Sequence, residues 1–287
     1  MRRAQVLVVA TGKGGVGKTA VSLQLAGRLA QSADVILVDL DVQADCTSGL
    51  GIRGSDPRND QGANLLAALT KSEALKPVST RWKEADQDNP VVFERERLRI
   101  VPGGESMEAF LPWAVGKSTP DTELDTALEP LRAQCDWIVL DCPPMDTWTQ
   151  RQALNASDWL IVPVSDDHDE MRGLDRILRV VSNTARVRLL GAVLARMPAN
   201  AKVVIQETRE AAERVMNGAA PVLGPVIRES VEFGRAKEMG LTVGEYASWA
   251  SSVGGQSAAK PILGLAYDYT TLADKVVQEI FKRRAEQ

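Results

Sequence analysis

The chain has 287 residues, 44% of them hydrophobic, and a formal net charge of −4. That length accommodates one large or two small α/β domains with a sizeable core. The acidic balance excludes a globally basic nucleic-acid binder, so any DNA contact must come from a local cluster of Lys and Arg.

Cys46, Cys135 and Cys142 form no C-x-x-C pair. They point to neither a disulfide framework nor a zinc site and suit a reducing cytoplasm. No apolar run reaches the length of a membrane span. The N-terminus enters a strand too soon for a signal peptide to be expected.

In chain order, VLVVA at 6–10 is a short apolar run of the kind that forms a buried strand. TGKGGVGKTA at 11–20 follows it. Gly12, Gly17, Lys18 and Thr19 satisfy G-x-x-x-x-G-K-[ST], with Gly14, Gly15 and Val16 between them and Ala20 opening the next helix. Glycines let consecutive backbone N–H groups curl inward around phosphate oxygens. Lys18 brings a point charge to the β/γ-phosphates, and the Thr19 hydroxyl is a Mg²⁺ ligand. The bare motif arises by chance in roughly one chain of this length per hundred. A Lys-Gly-Gly inside it makes chance roughly several thousandfold rarer, which decides for a nucleotide-phosphate site. That loop has no need of its second lysine, Lys13. The segment AVSLQLAGRLA then carries Val21, Leu25 and Leu29 on one helical face. The loop thus joins a strand to a helix N-terminus, where donors and dipole favour anions.

Further strands are expected at VILVDLD (35–41), RIVP (99–102), WIVLDCPP (137–144), WLIVPVS (159–165) and LLGAVLARM (189–197), with PVLGPVI (221–227) as a shorter one. Helical periodicity runs through LDTALEPLRAQ, DEMRGLDRILRVVSNTA and VIQETREAAERVMN. Such alternation predicts an α/β fold: a mostly parallel twisted sheet with helices on both faces, in one domain. Residues 76–97, charged and poorly periodic, read as a surface excursion. Residues 251–264 (SSVGGQSAAKPILG) read as a flexible loop before the last helix. In that helix Leu272, Val276 and Ile280 share one face, and a docked C-terminal helix explains them better than a membrane anchor does. His168, in the acidic run DDHDE, is expected to start a helix.

Two strands end in carboxylates, VILVDLD in Asp39 and Asp41 and WIVLDCPP in Asp141. Ligands of a parallel α/β sheet gather at the carboxyl ends of its strands. A single such Asp is ordinarily a turn residue or a cap. Three in a chain with a phosphate loop point to Mg²⁺, which takes oxygen ligands and keeps several waters.

At this point KGGVGKT, VDLDVQAD, LDCPP and VIRESVEFGRAKEMGLTV together resemble the ParA family of partition ATPases, within the deviant-Walker-A ATPases that also include MinD. The resemblance covers residues 4 to about 247 and resumes at AYDYTTLADKVVQEI. It implies a P-loop NTPase fold, ATP and Mg²⁺ as cofactors, and hydrolysis of ATP to ADP and phosphate. Lys13 then matches the signature lysine that reaches phosphates across a dimer interface, and Asp41 the aspartate that helps position the attacking water. Asp39 and Asp141 match positions near Mg²⁺, beside Thr19. Met197 and Pro198, after a late strand, are candidates for contact with the base.

The family also implies an ATP-bound homodimer, non-specific DNA binding and a ParB-type centromere-binding partner that stimulates hydrolysis. A cytoplasmic, nucleoid-associated protein without membrane attachment is expected. Arg228, Arg235 and Lys237 are the candidate DNA contacts, with Lys202, Arg209 and Arg214 on the preceding helix; an ordinary solvated surface is the alternative. Where the family commonly has D-P-Q-G-N, this chain has Asp41, Val42, Gln43, Ala44 and Asp45, which changes the turn chemistry and adds a charge. Cys142 replaces the commoner threonine of D-T-P-P, and Arg235 stands in the family's S-E-A segment. Two rivals remain. A MinD-like membrane-positioning ATPase calls for an amphipathic tail. A metabolic ATP-dependent synthetase on this fold calls for a substrate pocket, which residues 76–97 could supply.

Overall fold

The computed structural model describes residues 3–83, 92–116, 121–143, 148–182, 186–198 and 200–286. Its strands are β1 (Gln5–Val9), β2 (Val35–Asp39), β3 (Val78–Ser79), β4 (Trp82–Lys83), β5 (Val92–Phe93), β6 (Leu98–Val101), β7 (Trp137–Asp141), β8 (Trp159–Val164) and β9 (Arg188–Leu194). The α-helices are α1 (Lys18–Leu29), α2 (Asp45–Gly49), α3 (Ala63–Lys71), α4 (Phe110–Val115), α5 (Glu123–Leu128), α6 (Trp148–Ala156), α7 (His168–Ser182), α8 (Lys202–Met216), α9 (Val231–Glu238) and α10 (Val243–Ala285). Seven strands form one sheet in the order β3-β6-β2-β7-β1-β8-β9. Every pairing is parallel except β3 with β6 at the edge.

Side chains of successive strand residues alternate between two cores. Val6 and Val8 of β1 join Ile36, Ile138 and Leu160 on one face, packed against α3, α5, α6 and α7. Leu7 and Val9 join Leu37, Val139 and Ile161 on the other, packed against α1 and α10. With both faces covered, nearly every strand position is apolar, which is why the strands read as continuous hydrophobic runs. Val21, Leu25 and Leu29 of α1 and Leu272, Val276 and Ile280 of α10 all enter the second core, as their spacing predicts.

Three expectations need correction or refinement. Residues 251–264 are not a loop: α10 runs through them, broken once at Gly255 (φ 71°, ψ −176°). Gly254, Gly255 and Pro261 suggest a loop by propensity. However, Ala259, Ile262, Leu265, Tyr269 and Leu272 keep a buried stripe at helical spacing through the same stretch, and packing overrides propensity. PVLGPVI makes one isolated parallel bridge, Ala192 with Val222, and Arg228 just after it makes a second with Met197, but there is no continuous strand.

The excursion at 76–97, whose residues 84–91 lie outside those described, is anchored as well as exposed. It supplies β3 to the sheet edge and pairs β4 with β5. Arg95, its side chain 4% exposed, forks onto both carboxylate oxygens of Glu245 at 2.7 Å and bonds the carbonyls of Leu50, Thr80 and Gly240. Glu245 is itself half of the Thr242–Glu245 capping box that starts α10.

Candidate functional site

The loop between β1 and α1 takes a shape that its glycines permit. Gly15 (φ 84°) and Gly17 (φ 89°) are left-handed, and Gly17 is the N-cap of α1. No side chain caps that helix, so its first N–H groups are left for an anion. Gly12 is required for another reason: a Cβ there would meet the carbonyl oxygen of Gly173, in α7, at 2.7 Å. Lys18 is buried, and its Nζ donates to the carbonyl of Lys13 at 3.4 Å. Lys13 lies at the rim with a side chain 36% exposed and pairs with Asp167.

Behind the loop stand the two aspartates that close β2 and β7, paired in register. Asp141 Oδ2 accepts from Thr19 Oγ1 at 2.9 Å and from Cys46 Sγ at 3.4 Å, and Oδ1 accepts from Ser22 Oγ at 2.8 Å. Asp39 Oδ2 accepts from both the N–H and the hydroxyl of Thr47, each at 2.8 Å. Gly103 N–H donates to that hydroxyl in turn at 3.1 Å. Burial pushes both carboxyls above the usual carboxylate range, and for Asp39 the charge of Asp141 adds to the effect. The Cys46 and Cys142 thiols are likewise pushed up by burial, which suits packing residues and not nucleophiles.

A cleft of about 910 Å³ opens over the loop. Gly15, Gly17, Lys18, Thr19, Asp41 and Arg196 are among the residues that line it. Asp41 therefore faces the cleft directly, whereas Asp39 and Asp141 are fully buried beneath it. Asp141 reaches the cleft through Thr19, whereas Asp39 is held by Thr47, a buried residue that does not line the cleft. Among the described residues no group of three or more His, Cys, Asp or Glu side chains is arranged to hold a metal by itself. The donor set is one hydroxyl with a carboxylate behind it. That fits an ion such as Mg²⁺, which keeps waters and shares phosphate oxygens, and does not fit an all-protein cage.

The remaining sequence candidates fare unevenly. Met197 is fully buried and absent from the cleft lining, and Pro198 does not line it either; their place is taken by Arg196, one residue earlier. Past the end of β9 the backbone is left-handed at Arg196 (φ 56°), and Met197 next to it lies in the core. Arg228 lines the cleft, held by Asp268 (Nη2 to Oδ1, 2.9 Å). Arg235 pairs with Glu232 at 2.6 Å and Lys237 with Asp45 at 2.5 Å, so each of the three cations carries a carboxylate partner. Arg235, its side chain 62% exposed, is the most exposed of them. His168 begins α7, as expected of a helix-start residue.

Sequence reasoning missed Ser22, Cys46, Thr47, Gly103 and Arg196. Of these only Ser22 had a local signal, lying three residues beyond Thr19 on the same helix. The absence of Pro and Gly after Asp41 also has a structural consequence: Ala44 now occupies a left-handed position (φ 51°) as the N-cap of α2.

Comparison with known proteins agrees with this geometry. A protein-family model described as an AAA domain (AAA_31) matches residues 4–189. Chromosome partitioning protein ParA of Myxococcus xanthus is 26% identical over 212 residues, 72% of this chain and 70% of that protein. Chromosome-partitioning ATPase Soj of Thermus thermophilus is 28% identical over 290 residues, 98% of this chain and 99% of that protein. Among solved structures, pNOB8 ParA has a TM-score of 0.76 at 18% identity, covering 98% of this chain and 99% of that one. The cell division ATPase MinD of Pyrococcus furiosus has a TM-score of 0.67 at 20% identity, covering 96% of this chain and 99% of that one. At such identities the structural likeness concerns the fold. Taken with the loop, the acidic strand ends and the mostly parallel sheet, the match over 4–189 means that this chain belongs to the AAA domain family, as a P-loop ATPase of the ParA type.

Proposed function

We propose that this chain is a single-domain partition ATPase. It hydrolyses ATP, forms an ATP-bound sandwich dimer, binds DNA without sequence preference in that state, and is stimulated by a ParB-type partner. The observation that carries the proposal is the loop with two lysines. Lys18 is tucked against the loop and Lys13 stands at its exposed rim, in a chain that aligns almost end to end with a chromosome-partitioning ATPase.

The left-handed Gly15 and Gly17 and the uncapped start of α1 fit a polyphosphate, and Lys18 adds charge at its terminal groups. Thr19, backed by Asp141, fits a phosphate-bound Mg²⁺, with Asp39 in support. When bound, that ion neutralises charge on the phosphate oxygens. Asp41, at the cleft surface, orients the attacking water. Lys13 reaches from the rim toward phosphates held by a second copy, where its charge supports phosphoryl transfer. To do so it must leave Asp167, so that pair is a contact of the unpaired protomer.

Of the three candidate DNA contacts, Arg235 is the one best placed for a phosphate. Arg228 and Lys237 serve the cleft and α2. No helix among the described residues is long and apolar enough to cross a membrane. A cytoplasmic, nucleoid-associated protein is the corresponding localisation.

A DNA mobility shift with ATP, with ADP and without nucleotide tests the proposal. Retardation with ATP alone, falling steeply with salt, is expected. A wild-type protein that ignores DNA at low salt with ATP overturns it. Liposome sedimentation and small-molecule stimulation of turnover then separate the membrane-positioning and synthetase alternatives.

A further inference from the structure

Arg196 is not part of any phosphate-loop motif, yet the structure brings it to the loop. It follows β9 with φ 56°, a left-handed backbone that a residue with a Cβ adopts only under constraint. The constraint is visible on both sides. Ala195 N–H donates to the carbonyl of Val164 at 2.8 Å, Met197 N–H to that of Ile227 at 3.1 Å, and Glu229 N–H to that of Met197 at 2.9 Å.

The side chain these bonds aim crosses to the loop. Its Cγ and Cδ lie 3.4 and 3.6 Å from where a Cβ of Gly17 would be. Nη1 donates to the carbonyl of Gly15, and Nη2 pairs with Glu229 Oε1 at 2.9 Å. The side chain is 53% exposed and lines the same cleft as Lys18 and Thr19. Strain of this kind concentrates where a fold holds a functional group in place.

We propose that Arg196 is a nucleotide-positioning residue of this ATPase site, with Glu229 as its orienting partner. The proposal rests on the nucleotide reading above. A peptide unit is planar and trans, so its C=O and N–H point in opposite directions. By holding the Gly15 carbonyl, Arg196 fixes that peptide plane and with it the direction of the Val16 N–H, one of the loop donors available to a phosphate. The charged donor also polarises that peptide and adds positive potential at the rim. A planar fork is needed because two acceptors, the Gly15 carbonyl and the Glu229 carboxylate, are held at once.

The test measures Mg-ADP affinity with a fluorescent ADP, melting temperature, and the split between kcat and KM for wild type, Arg196→Gly, Arg196→Lys and Glu229→Gln. Glycine removes the strain at φ 56° together with the side chain. Arg196→Gly is therefore expected to melt at or above the wild-type temperature while its Kd for Mg-ADP rises about tenfold or more. Arg196→Lys should recover only part of that affinity, and Glu229→Gln should lose less than Arg196→Gly. KM for ATP should rise more than kcat falls. Two results overturn the proposal: an Arg196→Gly protein that binds Mg-ADP as tightly as wild type, or one that loses affinity and melting temperature together with no rescue by lysine, as a merely structural residue would. If the wild-type protein itself binds no Mg-ADP, the nucleotide reading fails first, and the two failures are distinguishable.

Discussion

Replacing Gly103 by alanine probes how the acidic strand ends are held. Gly103 follows β6, and its φ lies outside the left-handed region, so an alanine there meets no backbone strain. The cost is space alone. An ideal Cβ would sit 2.6 Å from the Asp39 carbonyl oxygen, 2.7 Å from that of Asp41 and 3.0 Å from Asp39 Cγ. Carbon–oxygen contacts settle at about 3.3 Å or more, so two of these are roughly 0.6 Å too short. Neither oxygen yields easily. Asp39 ends a fully buried strand, and the Asp41 carbonyl accepts the Ala44 N–H at 3.1 Å.

Relief must move the strand end, at an overpacking cost of about 1–3 kcal/mol. It also disturbs the two bonds from Thr47 to Asp39, worth about 1 kcal/mol each. A total of about 2–4 kcal/mol follows. At a urea slope of about 3 kcal/mol/M the unfolding midpoint should fall by about 1 M with the slope unchanged, and Mg-ADP affinity should fall with it. Gly234→Ala is the control. It lies inside α9 with nothing within 4 Å of the new Cβ, and should stabilise by about 0.5–1 kcal/mol. A Gly103→Ala protein that unfolds at the wild-type midpoint refutes the packing argument.

Other outcomes follow from the same geometry. Ala44→Gly should raise stability by about 1 kcal/mol by relieving φ 51° at the N-cap of α2; an unchanged or lower melting temperature would show that the turn is not strained. Burial raises Asp39 to about 7 and raises Asp141 as well, so the folded nucleotide-free protein holds protons that the unfolded chain releases near pH 4. Its stability should therefore fall as pH rises from about 4 to about 7, and Mg-ADP should flatten that slope by favouring the ionised pair; melting curves across this range, with and without Mg-ADP, check the sign. Lys13→Ala should bind ATP yet fail to dimerise, while Asp41→Ala should dimerise, turn over slowly and stay on DNA. Size-exclusion chromatography with ATP beside a DNA shift distinguishes the two, and normal dimerisation by Lys13→Ala would sink the trans role. Arg235→Ala should weaken DNA binding alone. Lys237→Glu, set against Asp45, should alter nucleotide turnover too, and equal effects of both substitutions on the DNA shift would contradict that division.

What could be read from residues alone was local. The phosphate loop is contiguous, and its glycines, lysine and threonine follow one another in the order the chemistry needs. The strands are legible because both sheet faces are covered, which makes each strand apolar throughout, and α1 and the end of α10 because their stripes keep helical spacing.

Tertiary structure decided everything that depends on partners distant in sequence. Asp141 meets Thr19 across 122 residues and Cys46 across 95, and Arg196 meets Gly15 across 181. No periodicity carries that information. The stretch 251–264 is helical because the core accepts Ala259, Ile262 and Leu265, although its glycines and proline oppose helix formation. The cations of the 228–237 segment looked like one basic cluster, because a sequence shows charges without directions. Folding turns Arg228 into the cleft toward Asp268 and Lys237 toward Asp45, and leaves Arg235 the most exposed of the three. Which charge faces solvent is set by where its carboxylate lies in space, and only the packed fold supplies that.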